Sequence, residues 1–168
     1  MRVIAVYNLK GGVGKTTAAV NLAHVAARGG ARVLLWDLDA QGAAGFTLGV
    51  EPLGRGSARK VAKGKDDLAG QIQESRFERL DVLAADFSYR HFDKLLAEEG
   101  RGKRLKKLLS ALADDYDYVL LDCPPSLSDL SEQVFAAAQA LVIPLLPTTL
   151  STRTYGQLID HLMAKLRE

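Results

Sequence analysis

Lys10–Thr17 reads KGGVGKTT, and its residue types in this order suit the grip of a phosphate. Glycines let consecutive backbone N–H groups turn inward around phosphate oxygens. A helix starting just after them adds its positive end to the same anion. The phosphate-loop pattern G-x-x-x-x-G-K-[ST] would need glycine at position 9, where Leu9 stands. Its core, Gly14-Lys15-Thr16, is intact, and Gly11 and Gly12 lie close before it. In that pattern Lys15 reaches the β- and γ-phosphates as a point charge, and the Thr16 hydroxyl ligates Mg²⁺. A ligand-free glycine turn is the alternative. Strand, glycines, GKT and helix in sequence favour the phosphate site.

Such a loop needs carboxylates, and the chain supplies them at strand ends, where open parallel sheets bind ligands. Asp122 closes YVLLD and is the candidate to hold Mg²⁺ through a water; the alternative is a strand-capping aspartate. Asp37 and Asp39 in LLWDLDAQG are two apart, so an extended chain points both to one side. Gly42 and Gly45 after them read as a mobile loop over 39–49. Cys123 has no histidine partner in sequence and reads as a small buried residue. His24, His91 and His161 lack metal-ligand spacing, and Trp36 reads as core.

The elements that must position these groups follow from pattern. Apolar runs at Arg2–Tyr7, Arg32–Asp37, Leu80–Ala84, Tyr118–Asp122 and Ala140–Leu145 predict buried strands. Helices are predicted over Thr16–Arg28, around Gly56–Lys63 and Asp67–Glu74, and over Tyr89–Glu99, Lys103–Ala113, Leu130–Ala138 and Thr152–Arg167. The last is amphipathic, with Leu158, Ile159, Leu162 and Leu166 on one face. Continuously apolar strands alternating with helices predict an α/β fold: a mostly parallel sheet of about five or more strands with helices on both faces.

Composition agrees. The 168 residues are 48% hydrophobic and 25% charged, which excludes a disordered or collagen-like chain and suits one domain over 1–168. A single cysteine excludes an internal disulfide and a cysteine-rich zinc cage within one chain. No apolar run reaches the roughly 18 residues of a membrane span, and the N-terminus lacks the pattern of a cleavable signal. A cytosolic protein is expected. The net charge of +2 averages two basic clusters, Gly54–Lys65 and Arg101–Lys107, against the acidic residues.

KGGVGKTT resembles the deviant Walker A motif of the ParA/MinD family of P-loop ATPases, and the resemblance extends from Met1 to about Gly156. It implies a three-layer P-loop NTPase fold with ATP and Mg²⁺ as cofactors. Nucleotide would be bound by Lys10, Gly11, Gly12, Val13, Gly14, Lys15, Thr16 and Thr17. Lys10 corresponds to the signature lysine, which reaches across a homodimer to the partner's nucleotide. A side chain at Gly12 would then block the approach of the two loops. LLWDLDAQG resembles the family's DxDPQ segment, with Ala40 in place of the proline. By resemblance Asp39 lies with Gln41 in a switch and orients the attacking water, so that Lys10, Lys15 and Asp39 are the catalytic residues. Thr16, Asp122 and Asp37 form the magnesium shell. DCPPS resembles a second switch in which Cys123, Pro124 and Pro125 sense the γ-phosphate.

LDVLAADFSYRHFDKL resembles the ParA segment LDVIPADFSLRNLD and points to the partitioning branch. That branch implies ATP-dependent partitioning or positioning of plasmid, chromosome or other cargo. It also implies a ParB-like partner that stimulates hydrolysis and a nucleoid-associated place in the cell. Non-specific DNA binding would fall to Arg101, Lys103, Arg104, Lys106 and Lys107; two solvated helix faces are the alternative. The last helix carries Asp160 and reads as packing, so a membrane partner is not expected. The same loop also occurs in ATP-dependent amidoligases such as cobyrinic acid diamide synthase. Nitrogenase-iron-protein-like reductases need paired cysteines and do not fit. Family members run on for roughly another 40–100 residues. A domain without its C-terminal strands, with weak grip on adenine, is therefore a third reading.

Overall fold

The computed structural model describes residues 1–64, 68–99 and 103–165. Its sheet has six strands: β1 (Arg2–Val6), β2 (Val33–Asp37), β3 (Gln73–Glu74), β4 (Leu80–Leu83), β5 (Tyr118–Asp122) and β6 (Ala140–Val142). Their order is β3-β4-β2-β5-β1-β6. Every pairing is parallel except β3 with β4. The helices are α1 (Lys15–Arg28), α2 (Ala43–Leu48), α3 (Ser57–Lys63), α4 (Phe92–Glu99), α5 (Arg104–Ser110), α6 (Asp129–Ala137) and α7 (Thr149–Lys165).

Strand alternation sorts the apolar residues into two cores, one on each face of the sheet. Ala5, Leu34, Trp36, Val119 and Leu121 pack with Ala58 of α3, Phe92 of α4, Leu105 of α5 and Leu130 of α6. Val6, Leu35, Val82 and Leu120 pack with Ala19 and Ala23 of α1 and Leu48 of α2. This is why the strands read as continuous apolar runs, and it gives the expected three-layer α/β architecture.

Four expectations change. The predicted loop over 39–49 contains α2, because its glycines sit at the helix ends: Gly42 at φ 64 and Gly49 at φ 72 cap it in the left-handed region. Gly45 lies inside, where a Cβ would stand 2.8 Å from both the Ala84 Cβ and the Val50 carbonyl oxygen. Asp67 lies outside the described residues, and the rest of the predicted helix over 67–74 ends instead in β3, whose Gln73 and Glu74 pair with Val82 and Asp81 of β4; sheet pairing overrides local propensity there. The strand expected over Ala140–Leu145 stops at Val142. Pro144 has no N–H to continue the ladder, and its carbonyl accepts from Asn8 Nδ2 at 2.7 Å. The helix expected from Tyr89 opens as a 3₁₀ turn, Phe87–His91, capped by Asp86, which accepts from the Ser88 N–H at 2.7 Å.

In α7 Leu158 is buried and Ile159 and Leu162 are half-buried, while Leu166 lies outside the described residues. Among the described residues no helix is long and apolar enough to cross a membrane.

Candidate functional site

The glycine loop joins β1 to α1. Gly12 and Gly14 hold φ of 70 and 90, the left-handed region that glycine enters without a Cβ penalty. Nothing lies within 4 Å of a Cβ built on Gly11, Gly12 or Gly14, so the loop faces open space. Val13 is buried beneath it. Thr16 and Thr17 follow in the first turn of α1.

Lys15 is buried and donates from Nζ to the Lys10 carbonyl oxygen at 3.1 Å. Burial lowers its pKa, against the opposing pull of Asp122 and then Asp39. Lys10 behaves differently. Its Nζ donates to Thr148 Oγ1 at 3.2 Å and Ser151 Oγ at 3.3 Å, at the start of α7.

Asp37 and Asp122 stand opposite each other at the carboxyl ends of β2 and β5. Asp37 accepts on Oδ1 from the Asp39 N–H at 3.0 Å and on Oδ2 from the Ala44 N–H at 3.0 Å. It thus caps α2 and fixes the turn that carries Asp39, which makes it a positioning residue. Burial, then the Asp122 charge, pushes its carboxyl up to about 7. Asp122 is buried too, but neither of its carboxylate oxygens has a hydrogen-bond partner. Burial pushes its carboxyl up to about 6, Thr16 and Lys15 pull the other way, and Asp39 adds to the rise. A buried carboxylate without a partner suits a bound cation, because leaving it unmet is costly. An open glycine cradle suits a phosphate. The residues present therefore fit a Mg-nucleotide.

Asp39 is half-buried, and its Oδ1 accepts from the Gln41 N–H at 3.0 Å. With Ala40, Arg90 and Pro124 it lines a small pocket. Cys123 is buried, its Sγ 3.6 Å from the Leu121 carbonyl oxygen, and burial pushes the thiol far up. That matches a structural cysteine. Pro124 is half-buried and Pro125 exposed at the turn.

The basic residues of α5 divide. Lys103, Lys106 and Lys107 are exposed, and Arg101 lies outside the described residues. Arg104 corrects the expectation of a surface cation. It is buried and donates from Nε to the Ala62 carbonyl at 2.8 Å and from Nη2 to the Lys63 carbonyl. Those are the last carbonyls of α3, which have no partner within the helix.

Sequence reasoning missed Asn8. Buried at the end of β1, it bridges the glycine loop to the segment after β6, with Oδ1 accepting from the Lys10 N–H at 2.9 Å and Nδ2 donating to Pro144. Thr148 and Ser151 were also missed. A polar residue closing an apolar strand just before the glycines was the one available signal for Asn8.

A doubly wound, mostly parallel sheet with a glycine loop after β1 and acids at the carboxyl ends of β5 and β2 defines a P-loop nucleotide-binding domain. The model of the AAA domain family matches residues 1–167. The chain is 38% identical over 146 residues to the sporulation initiation inhibitor protein Soj of Bacillus subtilis, covering 86% of this chain and 58% of Soj. It is 37% identical over 146 residues to the chromosome partitioning protein ParA of Myxococcus xanthus, covering 86% of this chain and 52% of that one. Among solved structures, cobyrinic acid a,c-diamide synthase from Mycobacterium smegmatis with bound ATP analog and magnesium superposes with a TM-score of 0.84 at 35% identity, covering 95% of this chain and 64% of that one. The chain belongs to the ParA/MinD family of P-loop ATPases. It spans little more than half the length of these two sequence relatives.

Proposed function

We propose that the chain is a Mg-ATP-dependent dimerising switch with slow ATPase activity, acting in the cytoplasm in the partitioning or positioning of DNA or another cargo. The buried Asp122, in register with Val6 at the end of β1 and with neither oxygen hydrogen-bonded, carries the nucleotide part of this reading. Thr16 and Asp122 would hold Mg²⁺, which when bound offsets phosphate charge. Lys15 would hold the β- and γ-phosphates of the chain's own nucleotide. Asp39, on a turn fixed by Asp37, would orient the attacking water, and catalysis would rest on positioning and charge stabilisation.

Lys10 supports the dimer. Its ammonium rests on two hydroxyls at the start of α7, contacts that a phosphate readily outcompetes. That lysine is free to act in trans. The names of Soj and ParA, a sporulation inhibitor and a partitioning protein, support the cargo class. A ParB-like activator and DNA contacts through Lys103, Lys106 and Lys107 complete the reading.

Light scattering with and without Mg-ATP tests it. The wild-type chain is expected to double in mass with ATP, and Lys15→Ala to stay monomeric. A Lys15→Ala chain that dimerises with ATP as well as wild type overturns the reading. The likeness to cobyrinic acid a,c-diamide synthase favours one second reading, an ATP-dependent amidoligase. ADP release stimulated by cobyrinic acid and an amide donor would select it.

A further inference from the structure

We propose that the basic cleft between α3 and the Phe87–His91 turn is a docking site for an acidic, amphipathic polypeptide segment. This proposal is independent of the nucleotide site. The cleft has a volume of about 1040 Å³, at the upper limit of the ~300–1,000 Å³ of small-molecule pockets, so it suits a stretch of chain better than a metabolite.

Its walls are cationic. Arg55, Arg59, Lys60 and Lys63 come from the α3 side and Arg90 from the facing turn. Among the described residues none of these five forms an ion pair. Arg59 and Lys63 are four apart on α3, a like-charge spacing that disfavours a helix. Among the described residues Asp86 is the one acid in the cleft, and it is already engaged. Its oxygens accept from the Ser57 N–H at 3.0 Å, the Ser88 N–H at 2.7 Å and the Ser88 hydroxyl. Glu98 and Glu99 line a neighbouring groove with Arg59 and Lys63, outside this one.

The floor is apolar, from Pro52, Phe87 and Leu95. Phe87 is 64% exposed, unusual for an aromatic with nothing to do. Charged walls over an apolar floor select a partner that carries carboxylates beside apolar side chains. Nucleic acid fits less well. Its phosphates need cations alone, and one face of the Phe87 ring is already covered by the Arg90 guanidinium, 4.2 Å from the centroid, where a base would have to stack.

The cleft also adjoins the Asp39 turn. Arg90 lines both the cleft and the pocket beside Asp39, and the Ala85 carbonyl, one residue before Asp86, would stand 2.9 Å from a Cβ on Gly42. An occupant therefore sits against the segment that backs that turn.

The test is fluorescence anisotropy with a labelled peptide of about 12 residues alternating Glu with Leu. An all-Glu peptide and a single-stranded oligo-dT serve as the other probes. Wild type is expected to bind the Glu-Leu peptide, with or without nucleotide, and more tightly than either other probe. Arg59→Glu with Lys60→Glu should weaken that binding at least tenfold, as an order of magnitude, and Phe87→Ala by roughly three- to tenfold. Circular dichroism on each variant confirms that it is folded; both sites are exposed, and Arg55→Glu with Arg90→Glu is the second pair should the first not fold. Equal binding by the charge-reversed chain overturns the proposal. So does equal affinity for the all-Glu peptide, which shows charge alone. Tighter binding of oligo-dT, lost in the same variants, overturns it in favour of nucleic acid.

Discussion

Asp122→Asn should make the metal-free protein more stable while removing its response to Mg-ATP. Burial is the main reason that the Asp122 carboxyl rises from 3.8 to about 6. An acid with a raised folded-state pKa favours folding only while protonated. Stability is therefore greatest below the unfolded value near 3.9, falls as pH rises from there to about 6, and is level above. The whole effect is about 3 kcal/mol at 1.36 kcal/mol per pH unit. Asparagine removes the charge but leaves an amide whose hydrogen bonds are unmet, a cost of roughly 1 kcal/mol. A net gain of about 2 kcal/mol above pH 7 follows. Asp37 adds in the same direction, because the Asp122 charge helps to raise its carboxyl to about 7. Urea unfolding in EDTA at pH 5 and pH 8 reads both the gain and its pH dependence. Wild type should lose stability between those values, and the variant should lose less. Saturating Mg-ATP should then reverse the ranking, since ligand at a hundredfold over Kd adds about 2.7 kcal/mol to a protein that binds it. A variant less stable than wild type at pH 8 in EDTA, or one with the same pH dependence, would refute the claim that the burial of the Asp122 charge outweighs what Thr16 and Lys15 give back.

Gly12→Ala should keep its fold and lose the dimer. Nothing inside the protomer meets its Cβ, and only the φ of 70 opposes it, a strain of about 1–2 kcal/mol. Light scattering should show a monomer with ATP, while nucleotide affinity measured by calorimetry holds. Arg104→Ala should cost about 2–3 kcal/mol in urea unfolding, because it strips the Ala62 and Lys63 carbonyls of their donor; Lys106→Ala, on the exposed face of the same helix, should be neutral within about 0.5 kcal/mol. Asn8→Ala should cost about 1–3 kcal/mol and weaken ATP binding as well, since it unties the Lys10 N–H and Pro144 together.

Much of this site was legible because its chemistry is local. A glycine loop is consecutive backbone, so KGGVGKTT states its own geometry. Asp122 was legible for a similar reason, since a strand that ends in aspartate places it at the carboxyl edge whatever surrounds it. What sequence could not show is which groups are left without partners. Asp37 and Asp122 look alike on the page, each closing an apolar run. Only the fold returns the Asp39 and Ala44 N–H groups to Asp37 and gives Asp122 no backbone donor, leaving it the nearby Thr16 hydroxyl and the Lys15 charge. Arg104 misled for the converse reason. Within RGKRLKK it is one cation of five, and its burial depends on α3, forty residues away in sequence, ending with its carbonyls against α5.

That asymmetry says how the domain divides its polar burial. The buried carboxylate at the end of β2 is fully engaged by backbone N–H groups, and so holds the geometry of α2 and the Asp39 turn whether or not a ligand is present. Its neighbour across the sheet, in direct register on β5, is left unmet at a cost in stability. If both were satisfied, the apo state would gain stability and a cation would gain little by binding. If neither were, the turn carrying Asp39 would have nothing to fix it. One engaged acid beside one unengaged acid is the arrangement in which nucleotide with its metal stabilises the fold while the turn that positions water keeps its place. Reversing the roles tests this: Asp37→Asn also removes a buried charge, one whose carboxyl is raised to about 7, but it keeps only one oxygen for the Asp39 and Ala44 N–H groups, so its gain in urea unfolding at pH 8 in EDTA should fall well short of the roughly 4 kcal/mol that the shift alone gives.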